Sequence, residues 1–276
     1  MNETEFREKL DSIECIVLDL DGTIYLGNTL FQNASDLLEN IKTSGRSYIL
    51  YTNNSSFSPS DHLQKLSFFG LDVESDALYT SADATVEYLL NYGPGHRLCV
   101  LGTDSLIRFF EENGFIIEPD KPDALVLGSD FDFDYSRLTH GVRLLKRGVP
   151  FYATHIDPTF PIEHGQHMPD CGALAAALTA ATGVKPIAMG KPFSPMLEGL
   201  LRRAGVGAQD IAVIGDGLRT DIAFGNAHNL LNVLLLTGDT SIEQLGRSQI
   251  KPDFIAPSLQ SLIKFFEPAE EHFVAA

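Results

Sequence analysis

An open α/β fold, with one parallel sheet wound on both faces by helices, is predicted by three observations in this 276-residue chain. Short β-branched apolar runs alternate with longer helical stretches along most of its length. The first two runs, 13–18 (IECIVL) and 47–51 (SYILY), are joined by a helical stretch at 34–43. That is a strand–helix–strand unit, which specifies a parallel pair. Several of the apolar runs also stop abruptly on polar residues, as strands do where an open sheet meets its ligand.

Each element has a local reason. The run 13–18 is almost continuously apolar, as a strand covered on both faces must be, and it ends at Asp19-Leu20-Asp21-Gly22-Thr23. The helix at 34–43 closes on Gly45, and the strand 47–51 leaves through Thr52-Asn53-Asn54. Ser58-Pro59 supplies an N-cap and a proline at the first helical position, for a helix that stops at Gly70. Strands are expected at 97–101, 124–127 and 151–153, and Gly114, Gly148 and Gly183 close helices in this region. Ser194-Pro195 repeats the cap-and-proline device for a helix ending at Gly205, and strands follow at 211–214 and 233–236. Prolines 119, 122, 150, 158, 161 and 169 crowd the middle of the chain, as an inserted domain would allow. The tail 267–276 reads as frayed.

Composition narrows the function. With 44% hydrophobic and 21% charged residues the chain is no disordered polymer. Its 20 basic against 37 acidic residues give a net charge of −17, which argues against nucleic acid or an anionic membrane as partner. If the substrate is an anion, local cations must overcome that field. Cys15, Cys99 and Cys171 show no paired spacing, and the polar start MNETEFREKL is unlike a signal peptide. The most apolar run, 230–236, contains Asn232 and falls far short of the roughly 20 residues of a membrane span. A soluble, cytoplasmic protein is expected.

Four strand or loop ends carry polar residues: 19–23 (DLDGT), 52–54 (TNN), 190–192 (GKP) and 215–221 (GDGLRTD). Taken singly, each has a bland reading as a loop, a turn exit or a helix cap. Together they place Asp19, Asp21, Asp216 and Asp221 where they would repel strongly, which a hard divalent cation such as Mg²⁺ would offset. Lys191 adds a point charge, Thr52 a hydroxyl, and the turns N–H donors. That set suits phosphoryl transfer, in which positioning and charge do nearly all the catalysis.

These motifs strongly resemble those of the haloacid dehalogenase-like phosphatases. DLDGTIYLG at 19–27, YTNNSS at 51–56 and Pro169-Asp170-Cys171-Gly172-Ala173-Leu174 are similar to the type IIA, nitrophenylphosphatase-like (NagD-type) branch. The resemblance implies a Rossmann-like core and a small phosphate ester as substrate: a sugar phosphate, nucleoside monophosphate, phosphoglycolate or pyridoxal phosphate. It makes Asp19 the nucleophile and Asp21 the general acid and base. Thr52 and the Asn53 amide would hold phosphoryl oxygens, and Lys191 would pair with Asp19. Mg²⁺ would be held by Asp19, the Asp21 carbonyl and Asp216, with Asp221 orienting metal-bound water. A homodimer is a further expectation of the family.

Spacing then places the cap. Only 32 residues separate Asp19 from Thr52, whereas 138 separate Thr52 from Lys191. An α/β (type C2) cap is therefore expected at 86–186, with the core formed by 1–85 and 187–276. One departure stands out: where the family reads ATNPD, this chain has Ala153-Thr154-His155-Ile156-Asp157-Pro158. Residues 155–171 are expected to form a proline-pinned cap loop, and His155, with His164 and His167 in it, is a candidate contact for the non-reacting part of the substrate. The competing expectations are a phosphotransferase with the same intermediate and a non-catalytic phospho-accepting signalling domain.

Overall fold

The structure is a computed structural model that describes residues 1–162 and 166–267. Six strands form a wholly parallel sheet in the spatial order Phe254–Ala256, Leu231–Leu235, Ile211–Gly215, Cys15–Asp19, Ser47–Thr52, Leu78–Thr80. Alternation explains why its two central strands are buried throughout. Ile16 and Leu18 face one apolar layer with Leu37 and Ile41 of the helix Ala34–Thr43. Cys15 and Val17 face the other, with Met196 and Leu200 of the helix Ser194–Ala204. Helices on both faces leave only the strand ends open to a ligand.

The second sheet has five parallel strands, in the order Ile187–Ala188, Phe151–Ala153, Ala124–Leu127, Arg97–Leu101, Ile116–Ile117. Leu125, Leu127 and Phe151 pack under the helices Tyr135–Lys146 and Cys171–Thr182. On the opposite face, Leu98, Val126 and Tyr152 join the same apolar cluster as Val17 and Ile49 of the first sheet. The expected boundary at 85/86 falls inside the helix Ser81–Tyr92, whose Val86 and Leu89 lie in that shared cluster. The boundary at 186/187 falls immediately before the strand Ile187–Ala188.

Two local expectations change. Ser194 is not an N-cap: the helix begins at Ser194 itself, Phe193 is the extended cap residue, and no side chain caps the helix. Pro195 still fits, because the first turn needs no donor there. Residues 155–171 are not a plain loop. They contain an antiparallel hairpin, Thr159–Ile162 against Gln166–Pro169. Prolines 161 and 169 are tolerated because each strand of a two-stranded ribbon has an unpaired edge. His164 and the tail beyond residue 267 lie outside the described residues. Among the described residues, no helix is long and apolar enough to cross a membrane.

Candidate active site

Strand order reverses about the strand Cys15–Asp19, and the polar residues gather at its carboxyl end. Register aligns Asp19 with Tyr51 on one side and Leu18 with Ile214 on the other, so Asp19, Thr52 and Asp216 emerge side by side. The turn after Asp19 needs glycine. Gly22 has φ +87°, and a Cβ there would sit 2.2 Å from an Asp216 carboxylate oxygen.

Lys191 lies at the centre of the cluster, 2% exposed. Its Nζ donates to Asp19 Oδ1 and to Asp221 Oδ1, each at 2.7 Å, and lies 4.2 Å from the centre of the Tyr51 ring. Tyr51 Oη donates to the same Asp221 oxygen at 2.7 Å, while the Gly217 N–H donates to Asp221 Oδ2 at 3.0 Å. Asp216 Oδ2 accepts from the Asp239 N–H at 2.5 Å. Carboxylate oxygens of Asp19, Asp216 and Asp221 lie within 4.8 Å of one another.

The electrostatics follow from that crowding. Burial lowers the Lys191 pKa, but Asp19 and Asp221 more than reverse this and hold the ammonium protonated well past neutrality. Burial pushes the Asp19 carboxyl well above its usual range against the pull of Lys191, and Asp221 and Asp216 push the same way. Burial, then Asp221, raises Asp216 to about 7. One ammonium faces three carboxylates, so the cluster lacks positive charge. Its donors are hard oxygens, the set that Mg²⁺ or Ca²⁺ takes. The residues therefore fit a divalent cation.

The other expected residues divide. Asp21 lines the cleft, with Tyr25 Oη 3.5 Å from its Oδ2. Thr52 is buried, and its Oγ1 accepts from the Asn54 N–H at 3.0 Å. The Asn53 side-chain amide works as a clamp: Oδ1 accepts from the Lys191 N–H at 2.7 Å, and Nδ2 donates to the Lys191 carbonyl and to Asp157 Oδ2. His155 does not reach the cleft. It is fully buried, with Nε2 3.0 Å from Asp170 Oδ2 and Nδ1 3.1 Å from Thr154 Oγ1. With both ring nitrogens engaged, the side chain has neither surface nor donor for a substrate. Its carboxylate neighbour faces the cleft instead, since Asp170 lines it and accepts from Ser129 Oγ at 2.7 Å.

Other functional residues carried no separable signal. Tyr51 reads as a strand aromatic and Asp157 as a loop acid. Ser55 and Ser56 sat inside the YTNNSS motif, yet they join the two sheets. Ser55 Oγ accepts from the Ser129 N–H and bonds Thr154 Oγ1, and the Ser56 carbonyl accepts from Thr103 Oγ1. The hairpin reaches back over the cleft, bringing His167 Nε2 within 3.4 Å of Asp239 Oδ1.

Comparison with known proteins agrees with this geometry. A haloacid dehalogenase-like hydrolase family model matches residues 16–116, and a second model of the same kind matches 188–262. A 5′-nucleotidase of Bacillus subtilis is 30% identical, the match covering 90% of this chain and 97% of that protein. The crystal structure of a 4-nitrophenylphosphatase from Thermotoga maritima superposes with TM-score 0.89 at 38% identity, covering 94% of this chain and 99% of the other. A glycerol phosphate phosphatase from Mycobacterium tuberculosis, solved in complex with calcium, has TM-score 0.82 at 29% identity and covers 92% of this chain and 76% of the other.

Proposed function

As the chain belongs to the haloacid dehalogenase-like hydrolases and is a phosphatase, we propose that it is a Mg²⁺-dependent phosphomonoester hydrolase for small phosphorylated metabolites, working through an aspartyl-phosphate on Asp19. The observation that carries this reading is the ammonium of Lys191, bonded at 2.7 Å to both Asp19 and Asp221 on the floor of the cleft. A buried lysine so placed fixes the carboxylate that attacks and faces the charge that builds on the phosphoryl oxygens.

In the first step an Asp19 oxygen attacks phosphorus, the bond from phosphorus to the ester oxygen breaks, and Asp21 gives its proton to the leaving alcohol. In the second, Asp21 takes a proton from water as the water oxygen attacks phosphorus. The bond between Asp19 and phosphorus then breaks and inorganic phosphate leaves. Splitting hydrolysis into two displacements lets one positioned carboxylate serve both. Thr52 and the Asn53 main chain hold phosphoryl oxygens, while the Asn53 side chain keeps Lys191 in place. Mg²⁺ held by Asp19, the Asp21 carbonyl and Asp216 would neutralise phosphoryl charge, and Asp221 would orient its water. Residues 86–186 serve as the cap and 1–85 with 187–276 as the core. Three buried, free cysteines fit a reducing cytoplasm.

Release of free phosphate from p-nitrophenyl phosphate tests the reading, and also separates hydrolysis from transfer to another acceptor. Asp19→Asn keeps the shape of the side chain but loses the nucleophile. Turnover should fall below about 1% of wild type, as expected when covalent catalysis is removed. Exhaustive chelation should abolish the wild-type activity. More than a few per cent left in the variant, or activity that survives chelation, sinks the mechanism.

A further inference from the structure

Among the carboxylates of the site, Asp19, Asp216 and Asp221 are buried and fixed by short hydrogen bonds. Asp21 is half-buried, in the turn beyond the strand Cys15–Asp19. Its carboxyl nevertheless has the most exacting task. In the first step its proton must pass to the ester oxygen as the bond from that oxygen to phosphorus breaks. A carboxyl free to rotate would seldom offer the proton along that line.

Tyr25 is placed to remove this freedom. Its side chain is 1% exposed, its ring lies 5.5 Å from that of Phe69, and Lys65 Nζ sits 3.9 Å from the ring centre. A phenol buried to that depth needs a partner for its hydroxyl, and Oη lies 3.5 Å from Asp21 Oδ2. Burial, then Asp21 and Asp19, raise the phenol well above its usual pKa, so it remains a donor. The main chain adds a second tie: the Tyr25 carbonyl accepts from the Gly22 N–H at 2.7 Å, and Tyr25 forms a β-bridge with Asp21. The side-chain contact is long in the free enzyme, as catalytic contacts often are before substrate tightens them. With Oδ2 taken by Tyr25, Oδ1 is the oxygen left to carry the proton towards the ester.

We infer that Tyr25 is a positioning residue for the general acid, its hydroxyl holding the Asp21 carboxyl with Oδ1 towards the leaving oxygen. The inference rests on the proposed mechanism and deepens the part played by its acid.

Phenyl phosphate and p-nitrophenyl phosphate test it, because they share a ring but differ in their need for a proton. Phenolate is a base of pKa about 10, as in tyrosine, and leaves far better once protonated. The nitro group delocalises the charge of p-nitrophenolate, which leaves without that help. The quantity compared is kcat/KM, which ends with departure of the alcohol and so excludes hydrolysis of the aspartyl-phosphate. Asp21→Asn should lose about 100-fold or more on phenyl phosphate, the scale of general acid catalysis, and far less on the nitrophenyl ester. Tyr25→Phe should lose about tenfold on phenyl phosphate, as one hydrogen bond supplies, and less than about twofold on p-nitrophenyl phosphate. Both rates are taken on one preparation, so a smaller folded fraction leaves their ratio unchanged. If Asp21→Asn shows the bias and Tyr25→Phe loses equally on both esters, or on neither, the role of Tyr25 is overturned alone. Equal losses in Asp21→Asn overturn the general acid and Tyr25 with it. Phosphate release from neither ester by wild type overturns the phosphatase reading altogether.

Discussion

At the scale of single residues, His155 separates what a motif announces from what burial decides. Its position beside a departure from the family pattern made it a candidate for substrate contact, yet the ring is buried against Asp170 and Thr154. Burial pulls the imidazole pKa down, but the Asp170 carboxylate more than reverses this, so it lies above the usual histidine value. The Asp170 pKa is depressed, because His155, Ser129 and the Cys171 N–H outweigh the cost of burial. The signs then fix a window. The histidine contribution to stability is complete below its unfolded pKa of about 6.5 and is lost as pH rises through the higher folded value. The aspartate contribution is present above about 3.9 and is lost as pH falls through the lower folded value. The pair therefore stabilises most between roughly pH 4 and 6.5. His155→Gln should cost on the order of 3 kcal/mol near pH 6, and the gap between its melting temperature and that of wild type should narrow towards pH 9. Its kcat/KM should fall by a similar factor on p-nitrophenyl phosphate and on larger esters. A loss confined to one substrate would return His155 to the cleft wall.

Elements were legible where their signal was local. The helix Ala34–Thr43 and the strands Arg97–Leu101, Ala124–Leu127 and Phe151–Ala153 follow from apolar runs bounded by punctuating residues. The strands Leu78–Thr80 and Phe254–Ala256 are three residues long at the two edges of the first sheet, too short to show a period, and pairing alone defines them. Gly199 is another feature that only packing explains. It lies inside the helix Ser194–Ala204, where alanine would ordinarily gain about 1 kcal/mol. A Cβ there would fall 1.7 Å from Tyr79 Oη, whose hydroxyl donates to Glu87 at 2.8 Å. Overpacking of this severity costs ~1–3 kcal/mol or more and outweighs the helix propensity. Gly199→Ala should therefore lower the urea midpoint, with the slope of the transition unchanged. A raised midpoint would mean that Tyr79 moves aside without cost.

The plan of the whole molecule was legible because it is a matter of counting: the stretch between Thr52 and Lys191 is far too long for one crossover, and the second sheet fills it. The electrostatic plan was legible only as a question. A net charge of −17 repels a phosphate ester, and the Lys191 ammonium in the cleft is already shared by two carboxylates. Arg219 supplies what the total charge hides. It lines the cleft beside Asp216 and, among the described residues, its guanidinium makes no hydrogen bond or ion pair, so its charge is free to act on an approaching anion. The global field is long-ranged and the guanidinium is local, so salt separates them. Between about 0.01 and 0.15 M the screening length drops from about 30 Å to about 8 Å, shorter than the span of the molecule but still longer than the step from Arg219 to a bound ester. Wild-type kcat/KM should therefore rise with salt as distant acids are screened. Arg219→Gln should lower it several-fold at low salt and steepen the rise, because the variant faces the field without its local counterweight. Arg219→Lys, which keeps the charge, should recover most of the loss. A wild-type kcat/KM that falls as salt is added would mean that the cleft already attracts the ester against the net charge, and the case for Arg219 as counterweight would fail with it.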